Sequence, residues 1–275
     1  MTERQEYVET VLGELAVWVR RPDSPNPTAM VMWPSLLMDH TLWSAQAEHF
    51  ADRFTTVTID PPGHGRSSPL TRTFSFVECA TALRQVLDAL DLPKAHVLGN
   101  SWGAMIGGTF TALHPDRVGC AVLMNGTASP APLRQRLEYG ALLAAARVLR
   151  GIRPPLTRSV LKAFLGPTSL HERPDVVRHV LDVAQANNVR SASYAIRSVV
   201  PLRPDQTELF ATIRTPVLVI AGREDATFPV PELERMAAAI PTAELQIIEG
   251  AAHLVALEVP DQVNKIIDDF LVERA

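Results

Sequence analysis

The chain has 275 residues, 47% of them hydrophobic and 20% charged, which is enough apolar material for a large core and far from the composition of disordered chains. Lys and Arg number 26 against 30 Asp and Glu, and the resulting net charge of -4 disfavours nucleic acid and anionic lipid as partners. Apolar runs such as 104–113 and 141–149 are too short to span a membrane, and the charged opening MTERQEYVET lacks a secretory h-region, so a cytoplasmic protein of one or two domains is expected.

In chain order, a hairpin is predicted from residues 7–11 and 14–19, turned at Leu12-Gly13. It is followed by a strand at 29–33, a helix near 43–50 and a strand at 54–59. Ser75-Phe76-Val77-Glu78 matches a capping box, in which serine and glutamate each satisfy a free backbone amide, so a helix is predicted from Ser75 to Leu90. A strand at 95–98, a helix at 101–113 and a strand at 119–124 follow. Between Pro130 and Phe210 strand-like runs vanish, and helical segments broken by prolines suggest an inserted lid. The alternation resumes with a strand at 216–221, a helix at 231–240, a strand at 244–248 and an amphipathic helix at 259–272. The expected fold is α/β: a mostly parallel, eight-stranded sheet, with a core of 1–129 and 211–275 and a helical lid of 130–210. Cys79 falls in a predicted helix and Cys120 in a predicted strand, which argues against a disulfide framework, and no CxxC or HExxH spacing suggests a metal.

Gly99-Asn100-Ser101-Trp102-Gly103 joins a short apolar strand to a helix. A turn this sharp crowds its flanks, so glycine stands at both ends while the serine hydroxyl projects above the sheet; the alternative is an ordinary strand-to-helix turn. A serine hydroxyl needs an imidazole to take its proton and a carboxylate to fix the imidazole's tautomer. His253, in a loop between the last predicted strand and the last helix, is the candidate base. His40, His49, His114, His171 and His179 fall on loops or helix faces, His96 begins a strand, and His64 sits in a Gly63-His64-Gly65 turn. The acid should follow the preceding strand, where Glu224 and Asp225 are adjacent and point different ways. Asp225 is assigned, with Glu224 as the fallback and otherwise a solvated surface charge; one strand earlier the slot holds Asn125, which cannot ionise.

Several strings resemble the α/β-hydrolase fold superfamily over nearly the whole chain: DPPGHGRSS at 60–68, the elbow at Ser101, VLVIAGRED at 217–225 and GAAHLVALEVP at 250–260. The last two, with VLMNGT at 122–127, are most similar to the 3-oxoadipate enol-lactonase branch of serine hydrolases. The resemblance implies Ser101 as nucleophile, His253 as base and Asp225 as acid. It also implies an oxyanion hole formed by the backbone N–H groups of Trp102 and Leu36. Family members usually carry His-Gly before the latter donor, and this chain has Pro34-Ser35, which removes conformational freedom there and leaves room for a register one residue off. His64 and Asp60 are read as shaping their turn.

Leu36, Leu37 and Trp102 are expected at the substrate pocket, the indole either facing substrate or packed inside. Seven basic residues from Arg134 to Lys162 face one acid, Glu138, and read first as a solvated helix face and second as steering for an anionic substrate. Apolar residues of the lid, including Leu137, Leu142, Leu143, Val148, Leu156, Leu161 and Phe164, are expected partly to cover the pocket and partly to pack on the core. The expected activity is hydrolysis of small-molecule carboxylic esters, lactones favoured, without cofactor or metal. The rivals are hydrolysis of a carbon-carbon bond in vinylogous diketones by the same triad, and a ligand-binding relative that lost turnover. No motif bears on oligomeric state.

Overall fold

The computed structural model describes residues 3–273. Eight strands form one sheet: β1 (Arg4–Thr10), β2 (Gly13–Arg20), β3 (Ala29–Trp33), β4 (Thr56–Ile59), β5 (Ala95–Asn100), β6 (Val118–Met124), β7 (Val217–Gly222) and β8 (Ala243–Ile248). Their order is β1-β2-β4-β3-β5-β6-β7-β8. β2 pairs antiparallel with both β1 and β4, and the remaining pairs are parallel, so β2 alone runs against its neighbours. β3, β4 and β7 are buried along their whole length, which is why they read as solid apolar runs rather than as alternation.

The helices that cover the sheet are α1 (Ser44–His49), α2 (Phe76–Ala89) and α3 (Trp102–Leu113). Between β6 and β7 lie α4 (Leu133–Val148), α5 (Leu156–Phe164), α6 (Pro167–Glu172), α7 (Pro174–Ala186), α8 (Val189–Val199) and α9 (Thr207–Phe210), with no strand in that segment. Then come α10 (Val230–Ala239), α11 (Val255–Glu258) and α12 (Pro260–Val272). The capping box of α2 is formed in both directions, Glu78 N–H donating to Ser75 Oγ at 3.2 Å and Ser75 N–H to Glu78 Oε2 at 2.8 Å. The same helix buries Cys79, Leu83, Val86 and Leu87, a 3.6-residue stripe against the sheet.

Boundaries depart from the sequence reading where local hydrogen bonds compete. β4 starts at Thr56, because Phe54 N–H still closes a turn onto Phe50 O at 3.0 Å. The helix expected near 43–50 is preceded by a 3-10 turn at His40–Trp43, capped by the Asp39 side chain. Both cysteines are buried and free. Among the described residues no helix is long and apolar enough to cross a membrane.

Candidate active site

Ser101 caps α3 at the end of β5, with φ 57 and ψ -111, a backbone conformation that L-residues adopt only under constraint. The constraint is packing. A Cβ on Gly99 would sit 2.1 Å from Gly103 O, and one on Gly103 would sit 1.9 Å from Trp33 O. The two glycines therefore let β5, α3 and β3 approach closely enough to hold the serine at the turn's apex.

The three residues singled out from distant parts of the chain are joined by hydrogen bonds. Ser101 Oγ lies 2.7 Å from His253 Nε2, and His253 Nδ1 lies 2.8 Å from Asp225 Oδ2. A carboxylate only accepts, so Nδ1 carries the proton and Nε2 is free to accept from the serine hydroxyl. Asp225 is buried and fully occupied. Its Oδ1 accepts the amides of Thr227 (2.8 Å) and Phe228 (3.0 Å), and its Oδ2 also accepts from Asn125 Nδ2 (2.9 Å). The imidazole is stacked on Phe164 of α5 at 5.7 Å and flanked by Phe228 at 5.6 Å, and His253 N–H donates to Phe164 O at 3.2 Å. These contacts fix the ring plane and exclude water from its faces.

The loop after β3 carries the first expected oxyanion donor. Leu37 N–H is taken by His64 Nε2 at 3.1 Å, which leaves the Leu36 amide without a partner among the described residues. His64 Nδ1 faces Pro62 O at 3.0 Å, so that nitrogen holds the proton, and burial lowers the pKa of the ring in keeping with a neutral imidazole. Leu37 itself sits at φ 63 and its carbonyl accepts from Asn187 Nδ2 at 3.0 Å. A left-handed conformation is thus held at a leucine whose N–H and carbonyl are both tied down. Trp102 N–H is the first amide of α3, where helix geometry supplies no acceptor.

A cavity of about 110 Å³ opens beside Ser101 and His253. Its wall includes Leu36 and Leu37, with Leu142, Leu143, Leu156 and Phe164 from the helices between β6 and β7. Trp102 does not belong to that wall. Its indole is fully buried, stacked on Phe74 at 5.5 Å and edge-on to Trp33 at 5.7 Å, so its side chain packs the core and only its amide faces the elbow. Leu137 and Val148 are also absent from the wall, being 67% and 82% exposed on the outer side of α4. None of the seven basic residues from Arg134 to Lys162 lines the cavity, and all are exposed, as a solvated face requires.

Residues 28–260 match the α/β hydrolase fold family. The chain belongs to that family. It is 28% identical over 226 residues to 2-hydroxy-6-oxononadienedioate/2-hydroxy-6-oxononatrienedioate hydrolase 2 of Pseudomonas putida, covering 79% of this chain and 77% of the relative. Its fold is that of the enol-lactonase from Burkholderia xenovorans LB400, with TM-score 0.89 at 22% identity over 97% of this chain and 100% of the other. It is equally that of a thermophilic esterase from Thermogutta terrifontis, with TM-score 0.88 at 22% identity over 98% and 99%.

Other groups shape the site of this α/β hydrolase, and sequence reasoning passed over the first of them. Glu258 is buried, and its carboxylate accepts the amides of Ala252 and Leu254, both at 3.0 Å, on either side of His253. Burial raises its pKa, opposed by the hydroxyl of Ser169 and those two amides. Asn125 fills the alternative acid slot not as a bystander but as a donor to Asp225 and to Ala252 O. Asn100 of the elbow donates to His253 O at 2.8 Å. Glu224, held as the fallback acid and otherwise as a solvated charge, accepts from Thr168 N–H (3.0 Å) and Thr168 Oγ1 (2.5 Å), tying α6 to the loop after β7. Asp60 accepts the amides of His40 and Arg66, the turn role read from its prolines and glycines.

Proposed function

We propose that this α/β hydrolase is a serine hydrolase of small-molecule carboxylic esters, lactones favoured, working through a Ser101-His253-Asp225 triad and an acyl-enzyme, without cofactor. The observation that supports this reading is the unbroken hydrogen-bond chain from Ser101 Oγ through His253 to Asp225, at 2.7 and 2.8 Å, beside an apolar cavity. Ser101 Oγ attacks the acyl carbon as His253 Nε2 takes its proton. The oxygen of the tetrahedral intermediate accumulates negative charge, and the amides of Leu36 and Trp102 donate to it. As the intermediate collapses, His253 returns the proton to the departing alcohol. Water then attacks the ester on Ser101 by the same steps in reverse order. Asp225 stays ionised throughout, holding Nδ1–H and stabilising the imidazolium. In a lactone the alcohol remains tethered, so reclosure competes with water. Residues 130–210 act in this reading as a lid on a core of 1–129 and 211–275.

The second reading, hydrolysis of a carbon-carbon bond in a vinylogous diketone, is favoured by the Pseudomonas putida relative, whose name describes an oxo-dienedioate hydrolase. A screen of aryl esters, small lactones and a vinylogous diketone, with product analysis and the Asp225→Asn variant as control, separates the two. Turnover of esters and lactones that falls about 10⁴-fold in Asp225→Asn is the expected outcome. Cleavage of the diketone alone overturns ester hydrolysis, and turnover unaffected by Asp225→Asn overturns the triad.

A further inference from the structure

The cavity beside Ser101 has one cation in its otherwise mostly apolar wall, and it is not among the basic residues of the helical segment that the sequence drew attention to. Arg203 lies between α8 and α9 and is 5% exposed. Its Nε donates to Ser129 O at 2.8 Å and its Nη2 to Gln135 Oε1 at 3.2 Å, both uncharged acceptors. Nη1 is buried and has no partner among the described residues. The guanidinium lies 5.4 Å from the Phe228 ring centroid, and Phe228 also flanks His253.

No ion pair to Arg203 exists among the described residues; Glu232 acts on it only through its field. Burial pulls its pKa down to about 10, which still leaves it charged at neutral pH. A desolvated cation with a free N–H and no counter-ion is costly, and neutral acceptors do not offset the charge. The group that completes such a site is an anion with planar oxygens, for which guanidinium geometry is suited.

We propose that Arg203 receives a free carboxylate on the substrate, so that the preferred esters or lactones carry a carboxylate joined to the scissile acyl group through an apolar chain. The exposed arginines of α4 and its following loop take no part in this recognition. The proposal rests on Ser101 being the nucleophile of ester hydrolysis, and the test separates the two.

The probes are 4-nitrophenyl hemiesters of the dicarboxylic acids from succinate to suberate, each set against the neutral 4-nitrophenyl alkanoate of equal chain length. Wild-type protein is expected to favour the hemiester in kcat/KM by about tenfold or more at its best chain length, from the strength of a charge-assisted bond. In Arg203→Gln that hemiester-to-alkanoate ratio is expected to drop about 10- to 100-fold, with Arg203→Lys in between. A wild-type preference for the neutral ester at every length overturns the proposal, whatever the variants do. Calorimetric titration of the same dicarboxylates, without the nitrophenyl group, into Ser101→Ala protein needs no turnover. Should no ester react at all, the nucleophile reading fails, and the titration alone decides Arg203: binding that Arg203→Gln abolishes supports it, and no binding overturns it.

Discussion

Glu258 reaches His253 without touching it. Its buried carboxylate holds the two amides that bracket the imidazole, so it acts as a positioning residue. Replacing it by alanine orphans those donors, at a cost of about 3 kcal/mol in urea unfolding. On the proposed mechanism the displaced loop should also lower kcat more than it raises KM, because a misplaced His253 affects the reacting complex rather than the uptake of substrate. Equal stability and unchanged kcat in Glu258→Ala would remove it from the site. That Ser101, Asp225 and His253 come together was legible because each sits in a short, distinctive string that follows a strand. Glu258 was not, since it shares the string of His253 without a chemistry of its own and its role arises only when the chain folds back over five residues. Arg203 escaped for the same reason: one arginine among many, distinguished only by the loss of its water.

At the scale of elements, the elbow depends on three backbones meeting. Gly103→Ala puts a methyl group 1.9 Å from the Trp33 carbonyl, a clash with main chain that no rotamer relieves. The expected result is a loss of about 4 kcal/mol or more in stability, or failure to accumulate folded protein. A variant as stable as wild type would show that β3 and α3 separate more easily than their packing implies. The succession of strands and helices along the chain and the capping box of α2 followed from periodicity and local hydrogen bonds. The indole of Trp102 did not, because its direction is set by Phe74 and Trp33, brought close by packing and distant in sequence. Likewise proline spacing marked the segment between β6 and β7 as helical, but not which face of α4 turns outward. Leu137 and Val148 look like core residues in sequence and are left exposed because they lie on the side of α4 opposite Gln135, Tyr139, Leu142 and Ala146, which face the cavity.

For the molecule as a whole, acid sensitivity is written into two histidines, half-buried His96 and buried His64. Burial holds the His96 imidazole down at about 4, with Lys94 adding to the effect, while its Nδ1 lies 2.9 Å from Cys120 Sγ and Phe54 packs edge-on. The unfolded chain keeps the ordinary value of 6.5, so between pH 6.5 and about 4 it binds a proton that the folded chain refuses. Stability is therefore complete above pH 6.5 and declines as pH falls, by about 3 kcal/mol for this residue. His64, also lowered by burial, adds loss in the same direction, and Glu258, raised by burial, opposes it. Urea midpoints at pH 7 and pH 4.5 should fall less in His96→Gln than in wild type; equal losses would acquit the residue.

The central claim, that His253 makes the Ser101 hydroxyl a nucleophile, is tested most directly by covalent labelling with a fluorophosphonate, read by peptide mass spectrometry. The account predicts a single adduct on the peptide containing Ser101, formed about 10³-fold more slowly in His253→Asn. An adduct on another residue, or a labelling rate indifferent to His253, would contradict it.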